Sequence, residues 1–158
     1  MQQDEPQPVL VSACLLGRRC RYDGGENGDR VLERELAARG QRAVPFCPEE
    51  HGGLGTPRPA AWIAERDAAA VVDGAACMVD EHGRDVTAAF LAGARGALDV
   101  CREEGIETAY LKERSPSCGV EHTHVANVLT RGPGVTSEVL RRAGIEVRAV
   151  EGRRRLPE

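Results

Sequence analysis

Short apolar runs alternate with segments of helical spacing along this chain, and that alternation restricts the fold more than any other feature. "PVLVSA" (8–13) is an apolar run ending in small residues, as suits a buried strand. "GDRVLERELAARG" (28–40) places Val31, Leu32, Leu36 and Ala37 at helical spacing and closes on Gly40, a helix-stop residue. "RAVPF" (42–46) reads as a second strand, with Pro45 putting its far end near a sheet edge or exit. A Gly/Pro-rich loop (48–60) follows. "DAAAVVDGAACMVDEHGRDVT" (67–87) reads as short extended pieces around turns at Asp73-Gly74 and His82-Gly83. Asp85 or Thr87 can then cap a helix running to about 104, with Phe90, Ala94, Ala97, Leu98 and Cys101 on one stripe and Gly105 at its end. "ETAYLKE" (107–113) is a third strand, "GVTSEVLRRAG" (134–144) a capped helix, and "IEVRAV" (145–150) a last strand.

Strands alternating with helices imply an α/β fold with a mainly parallel sheet. The expectation is a single-domain, three-layer, Rossmann-like sandwich over 9–150, with the Gly/Pro-rich loop as an insertion and polar tails at 1–8 and 151–158. A chain of 158 residues can bury one core, and with aromatics at 3 % that core is built from Ala, Val, Leu and Ile. A net charge of -4 and the shortage of rings exclude a nucleic-acid platform, which needs a basic face and stacking surfaces. The basic run Arg153-Arg154-Arg155 reads as solvated. No apolar run approaches a membrane span, and "MQQDEPQP" lacks the regions of a signal peptide, so the expected location is cytoplasmic. In that compartment six cysteines point to metal or catalytic roles rather than to disulfides.

Three of the six follow predicted strands. Cys14 comes after the first, Cys47 after the second, and Cys118 lies in the loop after the third. Ligands of open α/β sheets gather outside the carboxyl ends of the strands, so these thiols can converge although more than thirty residues separate neighbours in the set. Converging thiolates suit zinc, copper(I) or an iron–sulfur cluster, and a three-thiolate set leaves one metal position open. Cys101, on an apolar helical stripe, and Cys77, in "AACMV", read as core residues. Whether Cys20 joins the site or packs under a loop stays open.

Residues beside these thiols carry the remaining chemistry. In "CPEEHGGLGTPR" (47–58), Glu49 is the candidate general base, Glu50 and His51 read as surface residues, and Arg58 can clamp a polar substrate edge or pair with Glu50. In "SPSCG" (115–119), Pro116 stiffens a turn between Ser115 and Ser117, whose hydroxyls can reach a ligand or cap the loop backbone. Ser12, Asp23, Arg58 and Ser117 are the candidate substrate-binding residues, although Asp23 in "RYDGG" can equally close an Asx turn. "GPGVT" (132–136) reads as helix-capping chemistry, since it lacks the spacing and the lysine of a P-loop.

Taken in order, "VSACLLGRRCRYDGG", "CPEEHGGLGTPR", "GRDVT" and "LKERSPSCG" resemble the DUF523 family, whose characterised members are thiouracil desulfidases. The resemblance runs from about Val9 to Thr136. It implies a [4Fe–4S] cluster on Cys14, Cys47 and Cys118, and a non-redox reaction in which the open iron binds the sulfur of a thiocarbonyl such as 2-thiouracil. Water replaces that sulfur, giving uracil and sulfide, with Glu49 and Ser115 as the proton-transfer pair. The implied partner is thus a small thiolated pyrimidine or related compound. The chain departs from the family pattern at Trp62 and over 120–131. Two other readings of the same residues are a non-catalytic metal or cluster module, and a thiol-redox enzyme built on Cys14 and Cys20.

Overall fold

The computed structural model describes residues 5–157, so residues 1–4 and 158 of the two expected tails lie outside it. β1 (Gln7–Ser12) runs through a 3-10 turn into α1 (Arg30–Ala38), β2 (Gln41–Phe46) and the single-turn α2 (Pro48–His51). There follow β3 (Ala61–Ile63), α3 (Ala68–Val72), β4 (Met78–Asp80) and the long α4 (Thr87–Glu104). β5 (Thr108–Lys112), β6 (His122–Val125), β7 (Val128–Arg131), α5 (Val135–Arg142) and β8 (Glu146–Val150) complete the chain.

Four strands pair in the order β2-β1-β5-β8, all parallel. Side chains alternate across this sheet, so β1 sends Leu10 to one face and Val9 and Val11 to the other. Leu10, Ala109 and Leu111 pack with Ala97 and Cys101 of α4 and Leu140 of α5. Val9, Val11 and Tyr110 pack with Leu32 and Leu36 of α1. The three layers expected from the alternating pattern are therefore present, and Cys101 is a core residue. β2, which contains Pro45, is an edge strand, as a residue without a backbone donor requires.

Strand order reverses between β1 and β5. The chain leaves β1 toward β2 on one side and later returns to β5 and β8 on the other, which opens a crevice at the carboxyl ends of the two central strands.

A second sheet, β4-β3-β6-β7, is a feature the sequence pattern does not display. β3 pairs antiparallel with β4 and parallel with β6, and β6 and β7 form a hairpin. Ile63 and Met78 pack with Phe90 and Ala94 of α4 and Val135 of α5. Two expectations for this region are corrected. Residues 68–72 form a helix rather than an extended piece, because the Asp67 carboxylate caps it by accepting from the Ala70 N–H at 2.9 Å. Cys77 is exposed rather than core, in the turn between α3 and β4. Among the described residues no helix is long and apolar enough to cross a membrane.

α4 comes close to α2 through glycine. A Cβ on Gly93 would collide with the Pro48 carbonyl, and one on Gly96 with the His51 ring. These two positions set how deeply the turn carrying Cys47 and Glu49 is seated against the sandwich.

Candidate active site

The crevice at the reversal point is a cleft of about 500 Å³ whose lining includes Cys14, Cys20, Cys47 and Cys118. Cys14 follows β1, Cys47 follows β2, and Cys118 follows β5 at one remove, so the parallel sheet delivers the three expected thiols to one place. Sheet topology also puts Phe46 and Trp62 on the wall with Tyr22 at the rim. Three of the five aromatic residues of an aromatic-poor chain thus face this cleft.

The thiols differ sharply in acidity. Cys14 is held at about 7, first by a hydrogen bond from the Cys20 thiol, against the cost of burial, and further by the Asn27 amide and the charges of Lys112 and Arg21. The Asn27 Nδ2 donates to the Cys14 sulfur at 3.4 Å. Cys47 is also lowered, again chiefly through Cys20. Cys20 is pushed upward because its one thiol proton serves the sulfurs of Cys14 and Cys47, and because burial and the charge of those two neighbours oppose its ionisation. Burial drives Cys118 up to about 12, with hydrogen bonds from Ser12 and Ser117 only partly offsetting it.

Beside the thiols lies a buried acid. Glu49 Oε1 receives the Arg58 Nε at 3.1 Å, and Oε2 receives the Ser117 hydroxyl at 2.9 Å. Arg58 also donates to the Gly55 carbonyl, to Thr56 Oγ1 and, at 2.8 Å, to the Cys20 carbonyl. Four of its five N–H groups are therefore spent on protein, and it fixes Glu49 more than it faces a ligand. Glu50 pairs with Arg18 at 3.1 Å instead of with Arg58, and accepts from Thr56 Oγ1 at 2.6 Å.

Ser115 caps its own loop, accepting the N–H groups of Ser117 at 3.2 Å and Cys118 at 3.0 Å, and lies 3.2 Å from Ser117 Oγ. A hydroxyl oxygen that accepts two main-chain donors holds its own proton less tightly. A continuous Glu49–Ser117–Ser115 line results, and Ser117, whose role the sequence leaves open, is its middle member.

The loop itself hangs on main-chain bonds. Glu113 is 3 % exposed, and its carboxylate accepts from the N–H groups of Arg114, Val120, Glu121 and His122 at 2.7 to 3.2 Å. Burial opposes its charge, yet these donors prevail and keep its carboxyl below the usual range. From the other side, the first N–H groups of α5 (Val135, Thr136 and Ser137) donate to the carbonyls of Pro116 and Ser117. This is the helix-capping role expected of "GPGVT". Gly119 is obligatory here, since a Cβ would run into the carbonyls of His122 and Ser115.

The remaining candidates divide. Ser12 lines the cleft and its hydroxyl accepts the Lys112 N–H at 2.9 Å. Asp23 does not line the cleft; it accepts from the Gly25 N–H at 2.9 Å, the Asx turn that "RYDGG" allows, and pairs with Arg21. The arginine tail is not freely solvated: Arg153 Nε donates to Asn27 Oδ1 at 3.1 Å, and Arg154 pairs with the fully buried Asp29 at 2.8 Å. The tail thereby braces the amide that reaches Cys14. Cys20 and Glu113 are the residues that sequence reasoning undervalues most. Lys112, the only lysine of the chain, also faces the cleft, and burial lowers its pKa.

Known proteins share this fold and much of this sequence. A solved structure of a [4Fe-4S]-dependent thiouracil desulfidase, TudS (DUF523Vcz), superposes with a TM-score of 0.76 at 42 % identity, covering 90 % of each chain. The uncharacterized protein YbbK of Bacillus subtilis (strain 168) is 35 % identical over 142 residues, or 88 % of this chain and 93 % of that one. The family model for 2-thiouracil desulfurase matches residues 9–151. On its fold, its convergent thiols and these matches, the chain belongs to the 2-thiouracil desulfurase family.

Proposed function

We propose that the protein is a [4Fe–4S]-dependent desulfidase that converts a thiolated pyrimidine or related thiocarbonyl compound, with water, into the oxo compound and hydrogen sulfide. The observation that carries the reading is the Glu49–Ser117–Ser115 line, buried at Glu49 and Ser117, running beside three thiols in one cleft. Soft sulfur donors, one per strand end, fit an iron–sulfur cluster, and Cys14, Cys47 and Cys118 are the residues that would hold it. When bound, such a cluster supplies a Lewis-acidic iron with one position open to a thiocarbonyl sulfur.

The chain's own groups supply the rest. Glu49, a carboxylate held by Arg58, takes a proton from the attacking water. Ser117 passes hydrogen bonding between Glu49 and Ser115, and Ser115 gives a proton toward the departing sulfur. Phe46, Trp62 and Tyr22 provide flat apolar walls for a planar ring, which is how Trp62, a departure from the family pattern, enters the site. A cytoplasmic setting, in which free thiols persist, belongs to the same reading.

The test is Glu49→Gln in anaerobically reconstituted protein. Sulfide release from 2-thiouracil is expected to vanish while the visible absorption of the cluster and a content of about four irons per chain remain. Equal release by the variant and the wild type removes Glu49 as the base. Iron-free, colourless wild-type protein after competent reconstitution overturns the cofactor assignment. A loaded protein that releases no sulfide from any thiolated base is instead the non-catalytic cluster module.

A further inference from the structure

The reading above uses three thiols, yet a fourth is present. Cys20 is 3 % exposed and is held by its main chain: its N–H donates to the Arg18 carbonyl at 2.9 Å and its carbonyl accepts from Arg58 at 2.8 Å. Its sulfur, that of Cys47 and a carboxylate oxygen of Glu50 lie within 4.8 Å of one another. Cys14 also neighbours Cys20 but stands outside this group of three donors.

That spacing distinguishes two kinds of metal site. Thiolates on a cubane would each hold a different iron and so stand farther apart than donors that share one ion. Donors around a single tetrahedral zinc, with Zn–S near 2.3 Å, stand only about 3.8 Å apart. Cys20 is close enough to Cys47 to share one ion with it, and too close to serve as its neighbour on a cluster. Glu50 adds a hard oxygen donor already oriented by Thr56 and Arg18, the outer support that built metal sites carry.

We propose that Cys20, Cys47 and Glu50, with solvent completing the tetrahedron, form a mononuclear site for a thiophilic divalent cation such as Zn2+, overlapping the cluster site and exclusive with it. Cys47 belongs to both sets, so a chain that has taken one zinc ion cannot take a cluster. Zinc binds sulfur and nitrogen donors more tightly than iron(II) does, which makes the cluster-free chain the vulnerable form. The overlap rests on the cluster assignment above; the zinc site itself does not.

The experiment uses the full chain, stripped of metal under anaerobic conditions, and titrates Zn2+ against a chromophoric chelator. One ion per chain is expected, and Co2+ in its place should give the thiolate charge-transfer and d–d bands of a tetrahedral site. Cys20→Ser should weaken Zn2+ binding by roughly 100-fold or more, and Glu50→Gln by about 10-fold, because the serine removes a thiolate whereas the amide keeps an oxygen donor. Cys20→Ser should still take up iron and sulfide on reconstitution, whereas Cys47→Ser should lose both metals. Prior zinc should block reconstitution of the wild type but not of Cys20→Ser, with Cys20→Ala as a second variant and thermal melts as the control for folding. Undiminished Zn2+ affinity in both Cys20 variants, or a Co2+ spectrum without thiolate bands, overturns the proposal. Failure of wild-type protein to form a cluster counts against the desulfidase reading and leaves the zinc result standing.

Discussion

The segment from Cys47 to Arg58 adds a web of side-chain bonds to a few main-chain ones, whereas the segment from Glu113 to Gly119 is held chiefly through its main chain. In the first, one guanidinium gathers Glu49, Thr56, Gly55 and the Cys20 carbonyl. In the second, a buried carboxylate takes the N–H groups from 114 and 120–122, and the start of α5 takes the carbonyls of Pro116 and Ser117. They meet at the Glu49–Ser117 bond. The thiols follow the same division: Cys47 is acidified by its neighbours, while Cys118 is buried and resists ionisation. A side-chain anchor places one functional group and can be removed with little damage. A main-chain anchor shapes a whole loop, and its loss is felt as stability.

The strongest challenge to that contrast is Glu113→Ala, which leaves several buried N–H groups without an acceptor. A loss of about 3 kcal/mol is expected by urea denaturation, together with poor cluster loading. Glu113→Gln should fall between, and its pH dependence is diagnostic. The folded pKa of Glu113 is lowered from 4.5, so its stabilising charge is fully present above that value and disappears as pH falls through the lowered one. The stability gap between wild type and Glu113→Gln should therefore be level above pH 4.5 and close below it.

Arg58→Ala sharpens the other half. Stability should drop by only about 1–2 kcal/mol, while sulfide release falls about 100-fold because Glu49 loses its position. Arg58→Lys should not restore release, since an ammonium cannot span the same partners. A melting shift for Arg58→Ala as large as that for Glu113→Ala would erase the distinction between the two anchors.

The mildest perturbation is chemical labelling of the cluster-free chain with iodoacetamide, mapped by mass spectrometry. Cys14 should label with a midpoint near pH 7 and Cys47 below the ordinary thiol range, while Cys118 stays unmodified until close to pH 12 or until unfolding. Labelling of Cys118 ahead of Cys47 would contradict the division.

Much of the frame was legible because its elements are long enough to show a period. β1, β2, β5 and β8, with α1, α4 and α5, follow the apolar spacing of their segments, and Gly105 ends α4 in the left-handed conformation that glycine favours. The second sheet was hidden because β3 and β4 have three residues each and β6 and β7 four, too few for alternation to register. Residues 68–72 misled because Ala and Val suit a strand as well as a helix until Asp67 caps it. Strand ends brought Cys14, Cys47 and Cys118 into view as a set. Cys20 lay in an irregular loop with no period to orient it, and Glu113 looked like an ordinary acid at a strand end, since nothing local signals that it gathers main-chain donors from up to nine residues ahead.

The dependence of the Cys118 loop on α5 has a consequence for how the protein is made. Cys14 and Cys47 leave the ribosome early, but the carbonyls that shape the loop around Cys118 are held by residues 135–137. Until those residues have emerged and folded back, the three thiols have no common address. A cluster that needs all three thiols would therefore wait for a nearly complete chain, whereas the Cys20, Cys47 and Glu50 donors emerge far earlier.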